Sequence, residues 1–316
     1  MNRGNDRCNR SIAFLTAALL AACVAAATAG YAQPQRAAAE SPAAAPVPPA
    51  VAIARPNSAE VAAARAAFGR FLAEADPATR ALLDKYPGLL EVRAPQPNTA
   101  VIPALAPPFQ AKHQANLEVA RRGDAELLFM GDSITDFWRN ADGVFAGKPV
   151  LDRYFGHWRV ANFGIAGDTT QGVLYRLQNG EGAGFSPKAI MLMIGTNNTA
   201  RNTAAEIAEG IGAVVLELQR DFPDAKLLLL GVFPRSRAND PVRGTIAEIN
   251  RTIAKLHDGD RVRYLDIGAQ FLDADGNIPA DVMSDGLHPS TKGYEIWAEA
   301  VIEPLSQLMG TTTRRP

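Results

Sequence analysis

Ser133 ends the run Phe129-Met130-Gly131-Asp132-Ser133, a hydroxyl placed where an apolar stretch stops, which makes it a candidate nucleophile. A serine hydroxyl is weakly nucleophilic near neutral pH, so it needs a base within hydrogen-bond reach and a group that orients the base. The chain holds four histidines. His113 falls on a helix expected before the first strand, His157 in a loop beside Trp158, and His257 at the end of a polar helix; His288 alone follows a carboxylate, Asp285, by three residues in a loop. That spacing folds into one turn, in which Asp285 holds one imidazole nitrogen while the other faces Ser133. Attack on an ester puts negative charge on the carbonyl oxygen, and fixed donors must meet it. Gly167 offers a backbone N–H with no side chain in the way, Asn197 offers an uncharged amide, and the Ser133 N–H completes the set. Taken singly, each residue has a plain structural role: Ser133 as a helix cap, Gly167 as a turn glycine, Asn197 as a loop residue, and Asp285 with Pro289 as a helix start.

The elements that must bring these residues together are readable as apolar runs alternating with helical stretches. Strands are expected at 126–130, 159–163, 189–194, 226–230 and 262–265, with helices near 109–122, 169–177, 204–220, 241–257 and 291–308. Five parallel strands covered by helices make a three-layer α/β/α sandwich. Right-handed crossovers place every strand's carboxyl end on one edge, where ligands collect. Gly164-Ile165-Ala166-Gly167-Asp168 follows the second strand, Gly195-Thr196-Asn197-Asn198 the third, and Ser284 to Pro289 precedes the last helix, so all candidates are expected on the edge that holds Ser133.

The 316 residues, 47% hydrophobic and 21% charged, suit one domain with additional ends. Arg3, Arg7 and Arg10 precede an alanine-rich apolar run over 12–29, which reads as a secretory signal peptide with cleavage after Ala32. Leu20-Ala21-Ala22-Cys23 resembles the lipobox of bacterial lipoproteins, which makes Cys23 a competing lipid-tether site. The expected organisation is a signal peptide at 1–32, a disordered Ala/Pro-rich linker at 33–57, a helical extension and proline-rich connection at 58–108, and the catalytic domain at 109–310. Two short helices broken near Asp76-Pro77 are expected in the extension, packed on the outside of the fold. Both cysteines, Cys8 and Cys23, lie in the signal region, so the remainder has no internal disulfide and no thiolate metal site. Arg3, Arg7 and Arg10 against Asp6 carry +2 of the whole-chain charge of −1, so the chain beyond Ala32 stands at −3. That mild acidity gives no footprint for nucleic acid, and no second apolar run is long enough to span a bilayer. An export address without disulfides points to a bacterial periplasm or exterior.

Gly131-Asp132-Ser133, Gly167, Gly195-Thr196-Asn197 and Asp285-Gly286-Leu287-His288 resemble, in order and spacing, the four motif blocks of the SGNH hydrolases, or GDSL esterases, over about residues 120–308. Asn162 to Gln171 and Leu174 to Glu181 are similar to the platelet-activating factor acetylhydrolase branch. The resemblance implies a flavodoxin-like sandwich and serine esterase activity without a metal or other cofactor. It assigns Ser133, Asp285 and His288 as catalytic residues, with Gly167, Asn197 and the Ser133 amide as the oxyanion hole. Ile134 stands where the family name calls for leucine, a small change that leaves the chemistry intact.

Nothing near the site reads as a long lid helix or extended apolar insertion, so short acyl groups, acetyl foremost, are the expected cargo. Export favours a carbohydrate as the alcohol. A small-lipid acylhydrolase, an O-acetyltransferase using the same triad and a noncatalytic glycan-binding module stay open. Asp136-Phe137-Trp138-Arg139 offers an aromatic wall, with Trp138 either stacking on a sugar ring or packing in the core. Arg235, after the fourth strand, faces the active edge as a substrate contact or a surface residue. Asp273-Ala274-Asp275-Gly276-Asn277 looks like the start of a calcium loop, but the twelfth position is Ser284 rather than glutamate, so it reads as a polar loop.

Overall fold

The structure is a computed structural model that describes residues 43–86, 92 and 94–315. Continuous apolar runs such as Leu127-Leu128-Phe129-Met130 suit strands covered on both faces, and five of them pair in one all-parallel sheet. These are β1 (Leu127–Gly131), β2 (Val160–Asn162), β3 (Ala189–Met193), β4 (Lys226–Leu230) and β5 (Val262–Leu265). Their order is β2-β1-β3-β4-β5, and β1 pairs with β3 from Leu127 opposite Ala189 to Gly131 opposite Met193. The flavodoxin-like expectation holds, and each strand lies within two residues of its expected bounds.

Strand alternation sends Leu128, Met130, Ile190, Leu192, Leu227 and Leu229 to one face. There they meet α3 (Gln110–Arg122), α6 (Thr170–Arg176), α7 (Ala204–Asp221) and α8 (Pro241–Ile253). Leu127, Phe129, Met191, Met193, Leu228 and Leu230 point the other way, against α5 (Lys148–Phe155) and α9 (Thr291–Leu308). Side chains of this size stabilise the fold by about 1.5–3 kcal/mol each when fully buried. The sheet edge that carries the strand ends is thereby held between two apolar layers.

Two expectations about the N-terminal part need correction. Residues 43–55 are not a disordered linker: Ala45 and Val51 are buried, and the Ala45 N–H donates to the Val101 carbonyl at 2.7 Å. Glu209 on α7 draws the segment down, accepting from the Ile53 N–H at 2.7 Å, Arg55 Nη1 at 2.8 Å and Asn98 Nδ2 at 2.8 Å. Gly212 and Gly210 make room on that helix, since a Cβ at 212 would lie 2.6 Å from Val51 and one at 210 would lie 2.9 Å from the Ala100 carbonyl. The second correction concerns α1 (Ser58–Glu74) and α2 (Pro77–Leu83), which do break at Asp76-Pro77 but leave most of their surface exposed. Among their described residues only Val61 is buried, and Phe71 and Leu82 are more than half exposed. The signal segment and Cys23 lie outside the described residues. No helix among those described is long and apolar enough to cross a membrane.

Candidate active site

β1 delivers the nucleophile position. Its last residue, Gly131, must be a glycine because a Cβ there would lie 2.3 Å from the Met193 carbonyl of β3. The chain then turns into α4 (Ser133–Asp136), capped by Asp132, whose Oδ1 accepts from the Ile134 N–H at 3.0 Å. Asp132 is fully buried and its Oδ2 has no partner among the described residues. Burial pushes its carboxyl up to about 7, with the nearby Asp168 adding to the shift and the Ile134 N–H and Arg235 opposing it.

The candidate base, His288, comes from the other end of the chain and is held by a local turn. Gly286 takes a left-handed φ of 68°, which closes a tight turn. Within it Asp285 Oδ1 accepts from the Leu287 N–H at 2.9 Å and the His288 N–H at 2.8 Å, while Oδ2 accepts from His288 Nδ1 at 2.6 Å. Burial alone would raise Asp285, but the His288 and Leu287 hydrogen bonds together hold it below its usual value. The opposite ring nitrogen, His288 Nε2, lies 2.9 Å from Ser133 Oγ. Phe137 and Phe145 flank the imidazole, with ring centres 5.0 and 5.4 Å from it.

The third side of the site follows β2 and β3. Asp168 N–H donates to the Ile165 carbonyl at 3.0 Å, closing a turn whose third residue, Gly167, has φ 84°. A glycine with positive φ at that position flips the preceding peptide, so the Gly167 N–H points away from the turn's own hydrogen bond. Among the described residues neither this N–H nor that of Ser133 has a protein acceptor. Asn197 Nδ2 donates to the Asp168 carbonyl at 2.8 Å, which fixes the amide beside Gly167. The turn is pinned to the nucleophile helix because the Ala166 N–H donates to Asp136 Oδ2 at 3.1 Å and Asn162 Nδ2 donates to the Thr135 carbonyl at 2.8 Å. Gly164 permits this approach, as a Cβ there would meet the Asp136 nitrogen at 2.4 Å.

Ser133, His288 and Asp285 are therefore in one hydrogen-bonded line, with Gly167 and Asn197 beside each other on the loops after β2 and β3. Trp138 is not part of this wall. Its indole is completely buried among Phe129, Phe155, Tyr294 and Trp297, because the short turn after α4 points residue 138 into the sandwich and residue 137 toward the site. The aromatic surface comes from Phe137 and from Phe145, whose distant position gave no local signal. Arg235 reaches the site edge, where Nη1 donates to the Thr196 carbonyl at 3.4 Å and hydroxyl at 3.3 Å, bracing the loop that carries Asn197. Asp273 uses its carboxylate on the Asp275 and Asn277 N–H groups, as a polar loop does.

A parallel sheet of order 2-1-3-4-5, flanked by helices and with Ser133, His288 and Asp285 aligned at its carboxyl edge, is the flavodoxin-like sandwich of the SGNH hydrolase fold. Residues 129–296 match the GDSL-like Lipase/Acylhydrolase family, and the chain belongs to it. It is a carboxylic ester hydrolase. Among its relatives, platelet-activating factor acetylhydrolase IB subunit alpha2 of Homo sapiens is 33% identical over 222 residues, covering 68% of this chain and 93% of the relative. Subunit alpha1 of Rattus norvegicus is 33% identical over 202 residues, covering 64% of this chain and 84% of its own length. A solved Streptococcus pneumonia structure described as a platelet activating factor has the same fold, with 21% identity, a TM-score of 0.52, and coverage of 62% of this chain and 92% of its own.

Proposed function

We propose that the chain hydrolyses short acyl esters, acetyl foremost, through a Ser133-His288-Asp285 triad and an acyl-enzyme. The observation that carries this reading is the unbroken line from Ser133 Oγ to His288 Nε2 at 2.9 Å and from His288 Nδ1 to Asp285 Oδ2 at 2.6 Å. His288 Nε2 takes the Ser133 proton as Oγ attacks the ester carbonyl. The oxyanion is met by the N–H groups of Ser133 and Gly167 and by the Asn197 amide. The intermediate collapses, the C–O bond to the alcohol breaks, and the alcohol leaves with the proton held by His288. Water then enters, gives its proton to His288 and attacks the acyl carbon, and Ser133 Oγ leaves with that proton as the acid is released.

The acetyl preference draws support from relatives named as acetylhydrolases that align over 93% of their length. A carbohydrate as the alcohol is supported by the open ground beside Gly167 and Asn197, a cavity of about 480 Å³. Gln171, Asn198, Asn202 and Arg201 line it together with Phe109 and Leu105, so that polar groups able to meet hydroxyls stand beside apolar ones able to pack a sugar face. The relatives' named lipid substrate favours a second reading, a small-lipid acylhydrolase. Aryl esters from acetyl to palmitoyl, assayed beside acetylated xylan with Ser133→Ala as blank, separate the two. Preference for acetyl and release of acetate from xylan are expected; preference for long chains supports the lipid reading, and an undiminished rate in Ser133→Ala overturns the triad. We further infer export to the periplasm or exterior from the N-terminal sequence, and the mass of the mature N-terminus distinguishes cleavage after Ala32 from a lipid on Cys23.

A further inference from the structure

Behind the turn that carries Gly167 lies a buried charged cluster that the proposed chemistry does not use. Arg176, the last residue of α6, has no exposed surface, and neither do Asp168 and Glu181. Arg176 Nε and Nη2 both lie 2.9 Å from Asp168 Oδ2, and Nη1 donates to Glu181 Oε2. The remaining Glu181 oxygen accepts from His113 Nδ1 at 2.8 Å and Asn116 Nδ2 at 3.1 Å, both on α3. Glu181 can return to Arg176 because Gly180 takes a φ of 107° and reverses the chain. Three elements thus converge on one guanidinium.

Ion pairs taken wholly out of water contribute little to stability compared with apolar side chains of the same volume, because the lost hydration offsets their attraction. What the pair does achieve is geometric. Asp168 follows Gly167 directly, its N–H closes the turn that aims the Gly167 N–H, and its carbonyl accepts from Asn197 Nδ2 at 2.8 Å. Two of the three oxyanion donors are therefore hung on a single residue, and the carboxylate of that residue is gripped by Arg176. Gly172 leaves the space for the grip, since a Cβ there would lie 1.8 Å from Asp168 Oδ1.

We propose that Arg176 is a positioning residue that sets the oxyanion donors Gly167 and Asn197 through Asp168, with Glu181, His113 and Asn116 fixing the guanidinium from behind. This inference rests on the assignment of Gly167 and Asn197 as donors. Its consequence is that damage to the cluster is felt in the transition state and not in ground-state binding. A fixed donor removed outright costs about 10²–10³ in kcat, so a displaced pair is expected to cost about tenfold or more.

The test compares Arg176→Lys, Asp168→Asn and Asn197→Ala with the parent enzyme on p-nitrophenyl acetate, with melting temperature measured alongside. Trifluoromethyl ketones, which form a tetrahedral adduct on the serine, report on the oxyanion site directly. Asp168→Asn keeps shape and backbone carbonyl, so it gives the reading even where Arg176→Lys fails to fold. The expected result is a kcat reduced about tenfold or more, KM within about twofold, and trifluoromethyl ketone inhibition weakened in proportion to kcat. A folded Asp168→Asn enzyme with parental kcat, or one whose loss falls in KM alone, overturns the relay. If Asn197→Ala is impaired while Asp168→Asn is not, the relay alone fails; if Asn197→Ala is fully active, the donor assignment itself fails.

Discussion

The two sides of the site are built on opposite plans. The Asp285-His288 side is a single four-residue turn: one carboxylate accepts from two backbone N–H groups and the imidazole, in a loop where Asp285 is 40% exposed. The Gly167-Asn197 side joins loops after two different strands and is backed by Arg176, Asp168 and Glu181, all without exposed surface. The first side is encoded locally and tolerates solvent; the second exists only once the sheet has formed. Substitutions on the first side are expected to damage chemistry and leave the fold intact, whereas those on the second act through geometry.

The largest effect is expected from His288→Ala, which removes the proposed base while leaving the Asp285 backbone contacts in place. A loss of about 10⁵–10⁶ in kcat is expected, with melting temperature nearly unchanged. Retention of more than about a thousandth of the activity would mean that another group serves as base. Asp285→Ala is expected to cost less, about 10³–10⁴, because His288 keeps its contact with Ser133 but loses its orienter. A deficit equal to that of His288→Ala would show that the turn itself collapses. Asn197→Ala should cost about 10²–10³ in kcat with KM little changed. A rise in KM with kcat preserved would place Asn197 in substrate binding instead, and would remove the contrast between the two sides.

The difference in plan also explains what the sequence discloses. Ser133 and the Asp285-His288 turn are legible because their partners lie within a few residues or follow an apolar strand. The five strands are legible because burial on both faces leaves an unbroken apolar run. The packing of residues 43–55 is hidden for a physical reason: an Ala/Pro-rich stretch looks like a linker, and what holds it is Glu209 with Gly212 more than 150 positions away. Helix α5 spans only eight residues, too few turns for its apolar spacing to stand out from the loops on either side. Trp138 shows the same limit at the site, since its spacing is compatible with either a wall or a core. The charges of Arg176 and Glu181 are visible in the sequence, but their convergence depends on the reversal at Gly180.

The smallest predicted effect concerns the joint between the two sides, Asp132, which caps α4 below Ser133 and has Asp168 and Arg235 in its electrostatic surroundings. Its carboxyl is raised from 3.8 to about 7 by burial, so the folded state binds the proton more tightly than the unfolded chain. The associated stability is fully present below about pH 4 and is lost as pH rises through about 7. Asparagine keeps the oxygen that accepts from the Ile134 N–H and cannot ionise. Asp132→Asn should therefore melt like the parent near pH 4 and above it at pH 8. The gain is bounded by about 4 kcal/mol from three pKa units. Thermal melts of the two proteins across pH 4–8 check the sign: parallel curves would show that Asp132 does not titrate in this range. A variant less stable at pH 8 would show that its charge is needed where the nucleophile turn meets the oxyanion loop, joining the two sides electrostatically as well as by hydrogen bonds.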